Sequence, residues 1–227
     1  REVFQIIKEN SGPIYKKAFI ADGNALYMPT KLLLKTIEKI YEMNPNVSKI
    51  SIYGNVGDIL RKKPEDLKKL ALAGLSMVYI GFESGDDITL KRIKKGANKA
   101  KTIDSMQKLK EAGIKVSGMV LLGVGGKERS FVHAYETADM LSQGDPDYVG
   151  LLSLQVRPGA PIYKSWEKGD FELPDKFSHN NDIAQYRSKD YLKCLSKRTQ
   201  EKTSDLGLDT TNIKEKKYIS DWFKKKK

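Results

Sequence analysis

The sequence predicts an α/β protein with a parallel sheet, and three observations support this fold class. Five short runs are rich in apolar residues, a helical pattern fills each interval between them, and successive runs begin about 30 to 38 residues apart. A strand, a helix and a returning strand at this spacing form the right-handed crossover of parallel sheets. The repeat fits either a doubly wound sheet or part of a (β/α) barrel, and both bind ligands beyond the carboxyl ends of their strands.

The five predicted strands are nearly continuous in apolar character, which indicates strands that are covered on both faces. In chain order they are KKAFIAD (16–22), SKISIYG (48–54), MVYIGFE (77–83), KVSGMVLLG (115–123) and DYVGLLSLQV (147–156). Helical patterns between them occupy 29–43, 64–74, 101–113 and 128–141. The first has Pro29 near its first turn, the second has an acidic first turn, and the second and third end at a glycine, which are helix-end signals.

Composition indicates an ordinary globular protein and excludes several classes. The chain has 227 residues, 39% hydrophobic and 31% charged, with a mean hydropathy of −0.52. Its apolar runs are too short to span a bilayer, so no membrane partner is expected. Cys194 is the only cysteine, which excludes structural disulfides and favours a reducing, cytoplasmic location. With His133 and His179 it does not make a zinc site without several carboxylates, so no metal ligand is predicted.

The net charge of +12 is uneven, and the chain ends in four lysines. Residues 166–227 are predicted to form a helical or irregular basic extension after a main domain at 1–165. Basic tails bind RNA or an acidic partner in some proteins and only aid solubility in others. The aromatic residues beside these lysines are limited to Trp222 and Phe223, so the sequence gives little support to a nucleic-acid partner.

The carboxyl ends of the predicted strands carry glycines, small polar groups and a few carboxylates. They read ADGNAL (21–26), YGNVGD (53–58), FESGDD (82–87), GVGGKE (123–128) and QVRPGAP (155–161). Glycines let a ligand approach the backbone, and the first N–H groups of a following helix can bind an anion. Carboxylates and carbonyls can accept hydrogen bonds from an ammonium or a ribose. The mixture therefore suits a zwitterionic, nucleotide-like ligand at this edge of the sheet.

Each of these segments also has a purely structural interpretation. GVGG is a common turn, Asp22 before Gly23 is typical of turns, and Asp86 and Asp87 are typical caps for a helix at 88–95. Glu83 ends a buried strand, where an unpaired carboxylate is costly, so it needs a partner. A salt bridge to a neighbouring lysine or arginine and a bound ligand are the two alternatives.

Over about residues 1–165 these strand ends belong to the longer segments FIADGNAL, ISIYGNVGDIL, GLSMVYIGFESGDDITLKRIKKG, LKEAGIKVSGMVLLGVGGKE and PGAPIY. Their order and spacing resemble the core of the radical SAM superfamily, in particular the Elp3/MiaB/NifB-type group. The resemblance implies a partial (β/α)6, TIM-like barrel with parallel strands that lacks its first strand here. It also implies S-adenosylmethionine (SAM) as a cofactor bound across the strand ends.

The resemblance assigns particular residues to SAM. Asp22, Gly23 and Asn24 match the motif whose backbone holds the methionine ammonium, and Glu83 and Ser84 match positions that contact the amino-acid or ribose part. Lys95 matches a position that is often basic in the group, 120–126 match the segment near the adenine, and 154–157 match the segment that closes over it. The remaining members of the predicted cofactor-binding set are Tyr53, Asn55, Lys95, Leu122, Gly123, Gly125, Gly126, Gln155 and Arg157. No catalytic residue is assigned.

One departure from the family is severe. Its defining CxxxCxxC loop, whose three thiolates hold a [4Fe–4S] cluster, is absent from the sequence, and Cys194 lies far from the core segments. We expect the cluster ligands and the first strand to lie upstream of Arg1, with REVFQIIKEN as the helix that follows the loop. The alternative is a relative that lacks the cluster.

The activity implied for the parent enzyme is reductive cleavage of SAM to methionine and a 5′-deoxyadenosyl radical. It requires an electron donor, and its substrate is set by regions outside the shared core. The chain as given is expected to be inactive because it lacks the cluster motif. Two other classes are a non-catalytic nucleotide- or RNA-binding module that uses the basic tail, and a barrel lyase or aldolase. The last is disfavoured because the lysines lie mostly on predicted helical faces.

Overall fold

The computed structural model describes residues 16–174, so the predicted N-terminal helix and most of the basic extension lie outside the described residues. The division of the chain at 165 therefore stays a prediction. The strands within the described range are β1 Lys17–Ile20, β2 Lys49–Tyr53, β3 Leu75–Glu83, β4 Lys115–Leu122 and β5 Tyr148–Ser153. The helices are α1 Thr30–Met43, α2 Val56–Arg61, α3 Pro64–Leu72, α4 Asp87–Arg92, α5 Lys99–Glu111, α6 Gly126–Gly144 and α7 Pro161–Glu167, with a 3-10 turn at Ala25–Tyr27.

The strands form a sheet in the order β1-β2-β3-β4-β5. The β1–β2 and β2–β3 pairs are parallel, with Ile20 opposite Ile52 and Tyr53 opposite Tyr79. At least one helix lies between each strand and the next, as the spacing predicts. A doubly wound sheet reverses its order at a switch point, whereas this order follows the chain, as in a (β/α) barrel. The α/β class is confirmed, and the strand order favours the partial barrel.

The expectation that every strand is covered on both faces is wrong. In β2 and β3, buried residues such as Ile50 and Ile52 alternate with partly exposed ones, and Tyr53 is 39% exposed. Composition does not reveal this because the open face carries large aromatic rings, which are hydrophobic without being fully buried. Phe19, Tyr53 and Tyr79 form this aromatic cluster, with ring centroids 4.7 to 6.2 Å apart. Strand β5 is likewise mostly exposed.

Helix ends follow the sequence signals where those signals exist. Pro29 is the N-cap of α1, and Gly74, with φ +111°, follows the end of α3. Asp86 caps α4 by accepting from the N–H groups of Ile88 and Thr89, as predicted. The sequence patterns do not predict α2 or α7, since six and seven residues are too few to show apolar periodicity. Within the described range, no helix is long and apolar enough to cross a membrane.

The described chain divides into two compact units. The first comprises 16–81 with Asp104–Gly118, and its core is built from buried aliphatic side chains such as Ile50, Ile59 and Leu67. The second comprises Phe82–Ile103 with 119–174, and buries Phe82, Leu90 and Met140 among others. The predicted site residues up to Asn55 belong to the first unit, and those from Glu83 onward belong to the second.

Candidate functional site

Glu83, at the end of β3, adopts a left-handed backbone conformation. Its φ is +62°, and the N–H of Ser84 donates to the carbonyl of Phe82 at 2.8 Å. A hydrogen bond between residues two positions apart, with a central residue of positive φ, is the rare and strained form of the γ-turn. A residue with a Cβ keeps such a conformation only when surrounding contacts fix it, and such positions cluster at functional sites. The strand therefore ends in a fixed turn that begins at Glu83.

The Glu83 carboxylate is paired with Lys95. Lys95 Nζ lies 2.8 Å from Glu83 Oε1, and the two side chains are 25% and 24% exposed. The backbone N–H of Lys95 donates to the carbonyl of Leu90 in α4, which anchors the lysine. The structure thus brings together two of the predicted cofactor-binding residues and realises the salt-bridge alternative for Glu83. Because the pair is partly exposed, ligand hydroxyl or amino groups can reach it.

The residues after Glu83 are bonded to α6. The Ser84 hydroxyl and His133 Nδ1 share a hydrogen bond of 2.7 Å, and the Gly85 N–H donates to Thr137 Oγ1 at 2.8 Å. Ser84 is fully buried, and its oxygen also accepts from the backbone N–H two residues later. The Ser84 hydroxyl is therefore already used in holding the turn.

Asp86 is the charged centre of this turn. Its carboxylate accepts from Arg129 Nε at 2.7 Å, from Arg129 Nη2 at 2.9 Å and from the Thr89 hydroxyl at 2.6 Å. Burial by itself raises the pKa of this carboxyl, but the hydrogen bonds from Arg129 and Thr89 and the arginine charge outweigh it and lower the pKa from 3.8 to about 2. The hydrogen bond with Asp86 raises the pKa of Arg129 in turn. The pair is therefore ionised at neutral pH.

The glycine-rich turn after β4 is shaped by packing within the second unit. Gly123 and Gly126 have φ of +88° and +66°, which a residue with a Cβ adopts only with strain. A Cβ on Gly125 would lie 2.9 Å from Cβ of His133, and one on Gly126 would lie 2.9 Å from the ring of Phe171. These glycines are therefore required by neighbouring side chains, whether or not a ligand is bound.

Backbone groups in and beside this turn are largely engaged within the chain. The Gly126 N–H donates inside the turn at 2.9 Å, and the Lys127 N–H donates to the carbonyl of Glu172 at 2.8 Å. The carbonyl of Leu122 accepts from the N–H of Leu154 at 2.9 Å. The first turn of α6 consequently offers fewer N–H groups to an anion than its sequence indicates.

Gln155 and Arg157 follow β5 and are exposed. The Arg157 guanidinium donates to the side-chain carbonyl of Gln155. Their exposure leaves both side chains accessible to a ligand.

In the first unit, the loop after β1 is tied to α2. Asp22 Oδ1 accepts from the N–H of Gly23 at 2.8 Å, which is the predicted turn chemistry. Asn24 Nδ2 donates to the carboxylate of Asp58, and Arg61 pairs with the other oxygen of that carboxylate. Asn24 Oδ1 is buried, and among the described residues it is the one buried side-chain oxygen or nitrogen without a hydrogen-bond partner. An acceptor in this state fits a donor from outside the chain.

Asn55 and Tyr53 have structural partners in the same unit. Asn55 Oδ1 accepts from the N–H of Asp58 at 2.8 Å and so caps α2. Asn55 therefore positions the carboxylate that holds Asn24. Tyr53 is a member of the aromatic cluster, so its ring lies on the open face of the sheet.

The residues present do not fit an iron–sulfur cluster. Within the part of the chain that the structure describes, no group of three or more His, Cys, Asp or Glu side chains is placed to hold a metal ion. The whole sequence contains one cysteine, whereas a [4Fe–4S] cluster of this family needs three thiolates. This chain therefore does not supply the ligand set by itself.

Sequence analysis does not identify the polar side chains that hold the turn after β3. Arg129, His133 and Thr137 recur every fourth residue in α6, which places them on one helical face. That spacing is a usable signal, since a row of polar residues on a helix with buried neighbours indicates polar partners. Asp58, which joins Asn24 to α2, has no comparable signal.

Comparisons with known proteins identify the family. The sequence profile of the Radical SAM superfamily matches residues 1–141. A tRNA uridine(34) acetyltransferase of Methanocaldococcus infernus is 26% identical over 113 residues, which is 48% of this chain and 20% of that protein. A putative methylthiotransferase of Methanocaldococcus jannaschii is 38% identical over 63 residues, 28% of this chain and 12% of that protein.

Solved structures of the same kind share the fold. The archaeal Elp3 of Methanocaldococcus infernus superposes with a TM-score of 0.56 at 18% identity, covering 69% of this chain and 41% of that one. Methylornithine synthase (PylB) superposes with a TM-score of 0.58 at 15% identity, covering 86% of this chain and 52% of that one. The radical SAM enzyme coproporphyrinogen III oxidase of Escherichia coli superposes with a TM-score of 0.58 at 13% identity, covering 93% of this chain and 46% of that one. The chain spans about half or less of these structures and about a fifth of the curated acetyltransferase.

Proposed function

Because the chain belongs to the radical SAM superfamily, we propose that it binds S-adenosylmethionine at the carboxyl ends of its strands. In the first unit we assign Asn24 to the methionine ammonium, and in the second unit we assign the Glu83–Lys95 pair to the ribose or amino-acid part of the cofactor. Each assignment rests on the contacts within its own unit. Ser84 supports Glu83 in this proposal instead of touching the ligand, because its hydroxyl is engaged with α6. The other strand-end residues keep the roles that the family resemblance gives them.

The observation that carries this proposal is the buried acceptor Asn24 Oδ1, which has no partner within the described residues. A buried polar atom without a partner costs about 1–3 kcal/mol, so native proteins seldom leave one without a use. The amide cannot be turned to remove the problem, since its nitrogen donates to the Asp58 carboxylate and turning it would bring two oxygens together. An ammonium donor, such as that of the methionyl group, would satisfy the oxygen.

The Glu83–Lys95 pair fits the same cofactor for a separate reason. SAM carries two ribose hydroxyls that donate to a carboxylate, and its own carboxylate can accept from an ammonium. The pair is already balanced in charge and is partly desolvated, at 24% and 25% exposure. The methionyl amino and carboxylate groups are also balanced in charge, so placing them beside the pair adds no uncompensated charge there.

The chemistry that SAM supplies when bound is a sulfonium joined to adenosyl and methionyl groups, and the residues of this chain bind and orient it. The single cysteine does not fit a [4Fe–4S] cluster, so we assign no cleavage step to this chain. We expect SAM that is incubated with the 227-residue chain and a reductant to remain intact, as measured by chromatography for 5′-deoxyadenosine.

Isothermal titration of SAM into the chain tests the proposal. We expect the wild type to bind, and Glu83→Ala to bind about tenfold or more weakly, the effect of losing a charge-assisted hydrogen bond. Glu42→Ala is the matched control, because it removes a glutamate from an exposed lysine pair of 2.5 Å with Lys39. It should bind as the wild type does. A wild type that does not bind SAM would refute the proposed function.

A second candidate is action on RNA by a longer protein that contains this core. The observation in its favour is that the matched relatives include tRNA uridine(34) acetyltransferases. The chain spans about a fifth of those proteins, and its basic tail lies outside the described residues. We therefore keep an RNA partner as a proposal that the tail deletion below examines.

A further inference from the structure

Three polar side chains on α6, Arg129, His133 and Thr137, lie on one face of the helix because they are four residues apart. We refer to these three residues as the α6 clamp. Each holds a different residue of the turn after β3. In order along α6, they bond the Asp86 carboxylate, the Ser84 hydroxyl and the Gly85 N–H.

The contact between the turn and α6 is buried and close. Ser84 and Thr137 are fully buried, and His133 is 1% exposed. A Cβ on Gly85 would lie 2.7 Å from Cα of Thr137, so the turn rests directly on the helix backbone. The Thr137 hydroxyl donates to the carbonyl of His133 at 2.6 Å, which leaves its oxygen as the acceptor for the Gly85 N–H. The position and the direction of the hydrogen bond from Gly85 to Thr137 are therefore fixed.

The clamp begins immediately after the strained residue. Glu83 has φ +62°, and the tight hydrogen bond from the Ser84 N–H to the Phe82 carbonyl closes the turn around it. A strained conformation persists only where the surrounding structure fixes it. The contacts with α6 fix the next three residues and can hold Glu83 in this way.

We infer that the α6 clamp is a positioning device, which holds Glu83 in its strained conformation and thereby presents the Glu83–Lys95 pair to SAM. No clamp residue is assigned a contact with the ligand. The identity of the ligand rests on the proposed function, whereas the fixing of Glu83 rests on the geometry of the second unit alone. Releasing the clamp lets Glu83 return to negative φ, which turns its carboxylate away from the position that the site uses.

The first test needs no ligand. Thr137→Val keeps the side-chain shape but leaves the Gly85 N–H without an acceptor, whereas Thr137→Ser keeps the hydroxyl. Arg129→Lys is a second variant, which keeps the charge but loses the bidentate hydrogen bonding to the Asp86 carboxylate. Amide hydrogen exchange at 84–87 should be about tenfold faster in Thr137→Val and Arg129→Lys, and unchanged in Thr137→Ser. Unchanged exchange there, or an equal acceleration over the whole chain, would overturn the inference.

The second test separates positioning from general stability. SAM affinity is measured for Thr137→Val and Arg129→Lys, each with Glu83 and with Glu83→Ala. If the clamp acts through Glu83, each variant weakens binding several-fold when Glu83 is present and has no further effect in Glu83→Ala. A purely structural role predicts the same loss in both backgrounds, and that result would refute the clamp as a positioning device. Thr137→Ser should bind SAM with wild-type affinity.

The two proposals fail separately. If the wild type does not bind SAM, the proposed function is wrong, and the exchange rates at 84–87 then decide whether the clamp fixes Glu83. If the wild type binds SAM and the clamp variants bind equally well, the proposed function stands and the clamp inference falls.

Discussion

The strain at Glu83 can be measured by comparing two substitutions at the same position. Glu83→Ala removes the pair with Lys95 but keeps a Cβ at φ +62°. Glu83→Gly removes the pair and the strain together. A residue with a Cβ in the left-handed conformation destabilises the fold by about 1–2 kcal/mol. Glycine avoids this cost, but its greater freedom in the unfolded chain lowers the unfolding free energy by about 0.4–1 kcal/mol. We therefore expect Glu83→Gly to be more stable than Glu83→Ala by about 1 kcal/mol.

The same two substitutions at Glu38 provide a matched control. Glu38 is exposed in the interior of α1, where the backbone is helical and glycine is unfavourable. Here the order should be reversed, with Glu38→Gly less stable than Glu38→Ala by about 1 kcal/mol. Urea denaturation followed by circular dichroism gives both differences, provided that the slope of the transition is unchanged.

The reasoning would be refuted if the glycine variant were less stable than the alanine variant at both positions. If Glu83→Gly were less stable than Glu83→Ala by the amount seen at Glu38, the backbone at Glu83 would not be strained in solution. The α6 clamp would then have no strain to hold. The comparison does not depend on any ligand, so it tests the geometry of the turn separately from the proposed binding of SAM.

Three further predictions follow from other contacts. The pKa of Asp86 is lowered from 3.8 in the unfolded chain to about 2 in the folded one, so its ionised carboxylate stabilises the fold by about 2 kcal/mol at pH values above 3.8. This stabilisation is lost as the pH falls through about 2. The difference in unfolding free energy between wild type and Asp86→Asn, measured by urea denaturation, should therefore shrink as the pH is lowered over this range. Gly126→Ala should be less stable than Gly169→Ala, since both have positive φ but only Gly126 also faces Phe171 at 2.9 Å; thermal denaturation compares them. Deleting 214–227 should leave SAM affinity unchanged in titration calorimetry, whereas a module that binds RNA through its tail would lose salt-sensitive RNA binding.

The order of the elements could be predicted from the sequence because it depends on local composition. Apolar runs and helix-end signals placed each of the five strands within a few residues, and Asp86 was recognisable as a cap from its position before a helix. The salt bridge of Glu83 could be anticipated from the cost of an unpaired carboxylate, although its partner Lys95 could not be chosen among the neighbouring basic residues.

The contacts that shape the site could not be predicted because they join distant parts of the chain. The bonds from the turn to the α6 clamp connect residues 43 to 52 positions apart, and no local pattern specifies which helix face meets which turn. The positive φ of Glu83 is similarly hidden, since glutamate carries no preference for it. The burial of the strands is mispredicted for a related reason, because aromatic rings such as Phe19 and Tyr53 raise apolar content while remaining about 40% exposed.

The choice of glutamate at position 83 indicates a use beyond stability. Glycine would occupy φ +62° without strain, and a partly exposed ion pair such as Glu83–Lys95 contributes about 0–1 kcal/mol, which does not exceed the cost of the left-handed conformation. The fold therefore gains little or nothing from having a carboxylate there, yet three side chains of α6 hold the following turn in place. The proposed binding of SAM would explain a side chain that is costly to place and firmly held. For a member of this family, a hydroxyl- and ammonium-bearing cofactor at the strand end is the ligand that the carboxylate suits.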